Sequence, residues 1–125
     1  MRKQYYFQPS SQGILAWDVE HLIRLSRNLP RKLVPLAQIR ELDEVWLGDD
    51  DRPTWRAMLG HIRLIEQADL AFPIILASNG CVMDGMHRIA KAVLKGGEAI
   101  EAVQFEQDPE PDHVGLGPHD VSYQL

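Results

Sequence analysis

The sequence predicts a small α/β (α+β) domain, and three observations carry that expectation. A short apolar run, Pro73-Ile74-Ile75-Leu76-Ala77, ends in the turn residues Ser78-Asn79-Gly80, which is the pattern of a buried strand entering a hairpin. A second strand, Cys81 to Met83, leads through Asp84 and Gly85 into the helical pattern Met86, Ile89, Ala90, Val93, Leu94, closed by Gly96-Gly97. A further strand, Ala99 to Phe105, follows that helix. At 125 residues, with 45% hydrophobic and 25% charged residues, the chain suits one globular unit.

Residues 1–16 hold Tyr5, Tyr6 and Phe7 and then Pro9-Ser10-Ser11-Gln12-Gly13, and are expected to form an irregular or weakly extended arm whose aromatics pack on the domain. Asp18 is placed as the N-cap of a helix reaching about Asn28, with Val19, Leu22, Ile23, Ser26 and Leu29 along one side. His21 and Arg24 lie off that stripe and are read as solvated. Pro30 breaks the helix, and Leu33 to Ile39 reads as a strand. Pro53 opens a helix running to about Ala68, whose stripe Trp55, Met58, Leu59, Ile62, Ile65 and Ala68 is assigned to the core. His61 and Arg63 are assigned to solvent. Residues 107–125 form an irregular tail with too little apolar content for a core of its own.

Charge and cysteine usage narrow the function. The chain carries 13 Lys and Arg against 18 Asp and Glu, a net charge of −5. Such a balance argues against broad DNA binding, which depends on a basic surface, but permits a local anion site. A single cysteine, Cys81, excludes an intrachain disulfide and reads as a structural thiol. Tyr5-Tyr6-Phe7-Gln8-Pro9 after Met1-Arg2-Lys3 is no apolar leader segment, and no run approaches a membrane span, so a cytoplasmic location is expected.

The chemistry concentrates at Asp84-Gly85-Met86-His87-Arg88. A helix N-terminus presents N–H groups without intrahelical partners and a partial positive charge, which favours an anion such as phosphate. His87 and Arg88 add side-chain donors, and Lys91 shares their face by its three- and four-residue spacing. Asp84 can act on a metal or a proton, or can simply cap the helix. The loop Arg40 to Asp51 holds six carboxylates, including Asp49-Asp50-Asp51; a run of like charge usually marks a solvated loop. His113 and His119 with Asp112 and Asp120 match no recognised ligand spacing, and no structural metal is assigned.

These residues also carry a resemblance. Asp84-Gly85-Met86-His87-Arg88, followed by Ile89-Ala90-Lys91-Ala92 and by Gly96 to Phe105, resembles the ParB/sulfiredoxin-like superfamily. Leu33 to Ile39 is similar to the first strand of that fold and Pro73 to Leu76 to its central strand, so the resemblance spans roughly residues 32–106, flanked by 1–31 and 107–125. It implies a small mixed sheet with packed helices. Sulfiredoxins carry a catalytic Cys where Met86 stands, and a thioether cannot supply that thiolate. Partition-type ParB proteins carry a Gly-Glu-Arg-Arg-like box that binds CTP, and only Gly85 and Arg88 match it. The free-serine kinases of this fold use an Asp-Gly-His-His-Arg-like box, from which only Met86 differs.

The kinase resemblance implies roles residue by residue. Gly85, Met86, His87, Arg88 and Lys91 would cradle the phosphates of ATP, ADP or CTP, and Asp84 would meet Mg²⁺ or a substrate group. His87 would donate to a phosphate oxygen, and a Glu after the first strand would be the base, with Glu41 preferred over Glu44. The expected function is nucleotide or phosphate-ligand binding at the Asp84–Arg88 turn, extending to phosphoryl transfer onto a small hydroxylated molecule. A non-catalytic nucleotide switch or protein-interaction module is the alternative, and a ParB-like nuclease is disfavoured by the acidic charge.

Overall fold

A computed structural model describes residues 4–44 and 54–116. Two sheets and three helices make an α+β fold. The first sheet has the order β1-β2-β7, from β1 (Tyr5–Ser10), β2 (Gly13–Asp18) and β7 (His113–Leu116), all antiparallel. The second has the order β3-β6-β4-β5, from β3 (Lys32–Pro35), β4 (Ile74–Leu76), β5 (Val82–Asp84) and β6 (Ala99–Gln104). In it β4 and β6 run parallel, while β3–β6 and β4–β5 are antiparallel, so the sheet is mixed. The helices are α1 (Val19–Ser26), α2 (Trp55–Gln67) and α3 (Met86–Leu94). Among the described residues, no helix is long and apolar enough to cross a membrane.

The mixed sheet is buried on both faces, and the two-residue period of its strands sorts the core. Ile74, Leu76, Val82, Ile100 and Ala102 pack with Ile89 and Ala92 of α3. Ile75, Ala77, Met83, Val103 and Phe105 pack with Leu22 of α1 and Trp17 of β2. Ile74 and Ile89 are wholly shielded from water, each contributing about 1.5–3 kcal/mol by burial. Strands buried on both faces read as continuous apolar runs, which is why Ile74-Ile75-Leu76 was legible.

The arm is a regular strand pair rather than an irregular segment, and within the tail His113–Leu116 is a strand, while 117–125 lie outside the described residues. Residues 5–18 form a hairpin closed at Ser11 and Gln12, with Ser10 Oγ accepting from Gln12 N at 3.1 Å. Pro9 is tolerated because β1 is an edge strand. The tail docks on β2. Trp17 Nε1 donates to Pro109 O at 2.9 Å, Asp112 N donates to Ala16 O at 2.8 Å, and Asp112 accepts from Asp18 N at 2.8 Å. A Cβ on Gly13 would meet Gly115 Cα at 2.8 Å, so this approach of β2 to β7 depends on glycine. His21, assigned to solvent, bonds Asp112 Oδ1 through Nδ1 at 2.9 Å. His113 packs beside the Tyr5 ring.

Other expectations shift at their ends. The strand expected over 33–39 stops at Pro35, and 3₁₀ turns follow over Leu36–Gln38 and Arg40–Asp43. Helix α2 starts at Trp55 behind Thr54, whose hydroxyl accepts from Ala57 N at 3.0 Å. Its apolar stripe is not core: no residue of α2 is buried, and Trp55 is 81% exposed. Helical spacing fixes which residues share a face, not what covers that face. Met86, Val93 and Leu94 of α3, expected inward, are likewise exposed. The acidic run Asp49-Asp50-Asp51, together with His119 and Asp120, lies outside the described residues.

Candidate functional site

The turn from β5 into α3 is built around Gly85. Its φ of +117° lies in the left-handed region, and a Cβ there would come within 2.5 Å of Ile74 Cγ2. Only glycine makes that turn without strain. Gly85 is also the N-cap of α3 and offers no side-chain acceptor. The first intrahelical bond is Ile89 N to Gly85 O at 2.9 Å. The N–H groups of Met86, His87 and Arg88 come before that bond and receive no side-chain cap.

Asp84 is therefore not the cap that was one reading of the sequence. Its Oδ2 accepts from Arg88 Nη2 at 3.0 Å, and both side chains are about four-fifths buried, at 19% and 20% exposure. Arg88 Nη2 also reaches Pro73 O at 3.4 Å. Arg88 Nε is buried without a hydrogen-bond partner among the described residues. An unmatched buried donor costs about 1–3 kcal/mol, so an acceptor brought to this guanidinium would recover part of that cost.

A cavity of about 400 Å³ adjoins the ion pair, and Asp84 and Arg88 are part of its lining. That volume lies in the range of small-molecule sites. Two more arginines, Arg27 just after α1 and Arg31 ahead of β3, line the same cavity. Arg31 is engaged with Ala71 O at 3.0 Å and Glu101 Oε2 at 3.1 Å. Neither Arg27 nor Arg31 was singled out from the sequence, where each is one of many surface cations; only the fold brings them beside Arg88.

His87 turns to another neighbour. Its Nε2 lies 3.1 Å from Nδ1 of His61 on α2, and the two rings stack at 5.3 Å. One imidazole donates to the other, in a sense set by their tautomers. Burial, and secondarily His61, lowers the pKa of His87 below its ordinary value. His61, which the helical pattern assigned to solvent, is thus a member of the site region. The sequence offers no signal for it, because the α2–α3 contact is long-range.

Lys91 and Glu41 have structural employment. Lys91 Nζ donates to Glu66 O at 2.9 Å and Ala68 O at 2.6 Å, closing the C-terminal end of α2. The ammonium expected to meet a phosphate is thus held by two carbonyls at the end of α2. Glu41 Oε2 accepts from Val82 N at 2.7 Å, while Oε1 is buried without a partner among the described residues. Glu41 thus anchors the start of β5 and is not part of the cavity lining. Nearby, Arg40 Nη2 donates to Cys81 Sγ at 3.1 Å. Tyr6, hydrogen-bonded with Cys81, has its pKa pushed up to about 12, first by burial and then by Cys81.

Among the described residues, no group of three or more His, Cys, Asp and Glu side chains is arranged to hold a metal ion. Among the described residues, Asp84 Oδ1 has no hydrogen-bond partner. Comparison with protein-family models, with curated proteins and with solved structures returned no match.

Proposed function

We propose that this chain is a ligand-binding domain that holds the phosphate of a nucleotide or other small molecule at the Asp84–Arg88 turn. The observation that carries the reading is the uncapped N-terminus of α3, whose first turn holds Arg88, a residue of the cavity lining. The Met86, His87 and Arg88 amides supply oriented donors, and the Arg88 guanidinium supplies charge. Asp84 holds Arg88 in place and keeps one oxygen for Mg²⁺ accompanying the phosphates. Magnesium commonly binds through one or two carboxylates plus phosphate oxygens, which suits a turn with a single acid. The resemblance of Asp84-Gly85-Met86-His87-Arg88 to the ParB/sulfiredoxin-like superfamily supports the same reading.

Phosphoryl transfer is the second reading, favoured by the match to the free-serine kinase box. Transfer depends on positioning a base against the substrate hydroxyl. Glu41, the base that resemblance implies, spends one oxygen on Val82 N, so binding without turnover is the simpler use of this geometry.

Calorimetric titration with ATP, ADP, CTP and pyrophosphate, with and without Mg²⁺, tests the proposal. Wild type is expected to bind at least one of them, and Arg88→Gln to weaken it at least about tenfold, since charge-assisted bonds to phosphate contribute about 1.5–3 kcal/mol. Equal affinity in a folded Arg88→Gln protein would place any phosphate site elsewhere. ATP turnover abolished by Glu41→Gln would favour the transfer reading.

A further inference from the structure

The lining of the cavity holds more than a phosphate needs. Of its eleven residues, six are apolar: Ile23, Leu29, Phe72, Pro73, Ile75 and Val103. Ile75 and Val103 belong to neighbouring strands of the mixed sheet and form a flat apolar wall. Ile23 and Phe72 are 46% and 61% exposed, so apolar surface faces water around this concavity. Covering such surface with a ligand returns about 25 cal/mol per Å².

The polar remainder is Ser26, Asp84 and three arginines, a local excess of cations in a chain of net charge −5. Asp84 pairs with Arg88 and Glu101 with Arg31. Arg27 makes no side-chain hydrogen bond or ion pair among the described residues. The Ser26 hydroxyl is spent on Ile23 O at 3.2 Å. Among the described residues no Asn or Gln lines the cavity, so the lining described offers none of the side-chain amides that read the edge of a nucleobase. The chemistry on offer is charge at one part and hydrocarbon over the rest.

We propose that the cavity binds a small organic anion with an apolar body. Its acidic group meets Arg27 and Arg88, and its aromatic ring or short hydrocarbon chain lies on Ile75, Val103 and Phe72. The inference rests on the phosphate reading in one respect, the use of Arg88 as an anion partner. It adds the class of molecule attached to the anion.

Calorimetric titration with phenyl phosphate, 4-phenylbutyrate and inorganic phosphate tests it, on wild type, Arg27→Gln, Phe72→Ser and Leu59→Gln. Arg27, Phe72 and Leu59 are exposed, so these variants are expected to fold. Phenyl phosphate should bind at least about tenfold tighter than inorganic phosphate, the ring supplying about 1.4 kcal/mol or more. Phe72→Ser should remove most of that advantage, Arg27→Gln should weaken both organic anions about fivefold or more, and Leu59→Gln on α2 should change neither. Equal binding of phenyl phosphate and phosphate, or a loss in Leu59→Gln, overturns the organic-anion site. The phosphate reading would survive such a result if inorganic phosphate still depended on Arg88. Binding of 4-phenylbutyrate that depends on Arg27 and Phe72, with no affinity for phosphate or nucleotide, would uphold the organic-anion site and overturn the phosphate reading. Binding of none of these probes overturns the organic-anion site, while the phosphate reading stands or falls on the nucleotide and pyrophosphate titration.

Discussion

Asp84 and Arg88 face each other at 3.0 Å across the start of α3, and this pair joins the sheet, the helix and the cavity. Asp84 ends β5, Arg88 completes the first turn of α3, and both line the same concavity. The acid at the positive end of the helix is also favourable to the helix dipole. Because both side chains are mostly buried, breaking the pair leaves an uncompensated group. Arg88→Gln should cost about 2–3 kcal/mol and Asp84→Asn about 1 kcal/mol, the asparagine keeping an oxygen to accept from Arg88. Urea denaturation of the two variants checks the order. Equal and negligible losses would mean the pair is a solvated surface contact.

Gly85→Ala should be among the most damaging single-methyl additions in the chain. It combines a left-handed φ of +117° with a 2.5 Å approach to Cγ2 of the wholly buried Ile74. Strain and overpacking together should cost about 2–4 kcal/mol. Gly60, whose added Cβ would meet nothing within 4 Å, is the control. Placed within α2, Gly60→Ala should be neutral or stabilising by up to about 1 kcal/mol.

The imidazole pair makes stability depend on pH. His87 has a lowered pKa in the folded chain, so the unfolded chain binds more protons once pH falls below the unfolded value of about 6.5. The contribution is fully present above about 6.5 and is lost as pH falls from there through the lowered folded value. Thermal melting should therefore shift down more steeply between pH 7 and 5 in wild type than in His87→Gln. Parallel profiles would show that the pair is too solvated to matter.

Tyr6 should titrate late. Its raised pKa stabilises the fold below the unfolded value of about 10, and that contribution disappears as pH rises through about 12. Absorbance near the phenolate band should show one tyrosine ionising near 12, a step absent in Tyr6→Phe. Cys81→Ala should move that step part of the way towards 10, because burial is the larger cause and remains.

The parts of the fold legible in the sequence are those set by local rules. Gly85 and Gly96 were readable because only glycine takes their positive φ cheaply, and the β4 run because strands buried on both faces are apolar throughout. The β1–β2 hairpin was hidden by Pro9, and β7 by a run of Pro and Asp that in fact supplies docking groups, with Asp112 taking Asp18 N and His21. Of the α2 stripe, Trp55, Met58, Leu59 and Ile62 are exposed and Ile65 and Ala68 half-buried, so none of it is core. Of the candidate site, the Asp84–Arg88 turn was visible. Arg27, Arg31, Phe72 and His61 were not, since they reach it only through the packing of α1, the β4 approach and α2 around the sheet.

The most direct measurement is an amide-resolved NMR titration of the ¹⁵N-labelled protein with pyrophosphate, followed through Met86, His87 and Arg88. If a phosphate docks on the uncapped end of α3, these three amides shift together with one saturating affinity, and Arg88→Gln weakens that affinity. If they stay fixed while other regions move, or if nothing moves at millimolar ligand, the Asp84–Arg88 turn is not a phosphate site.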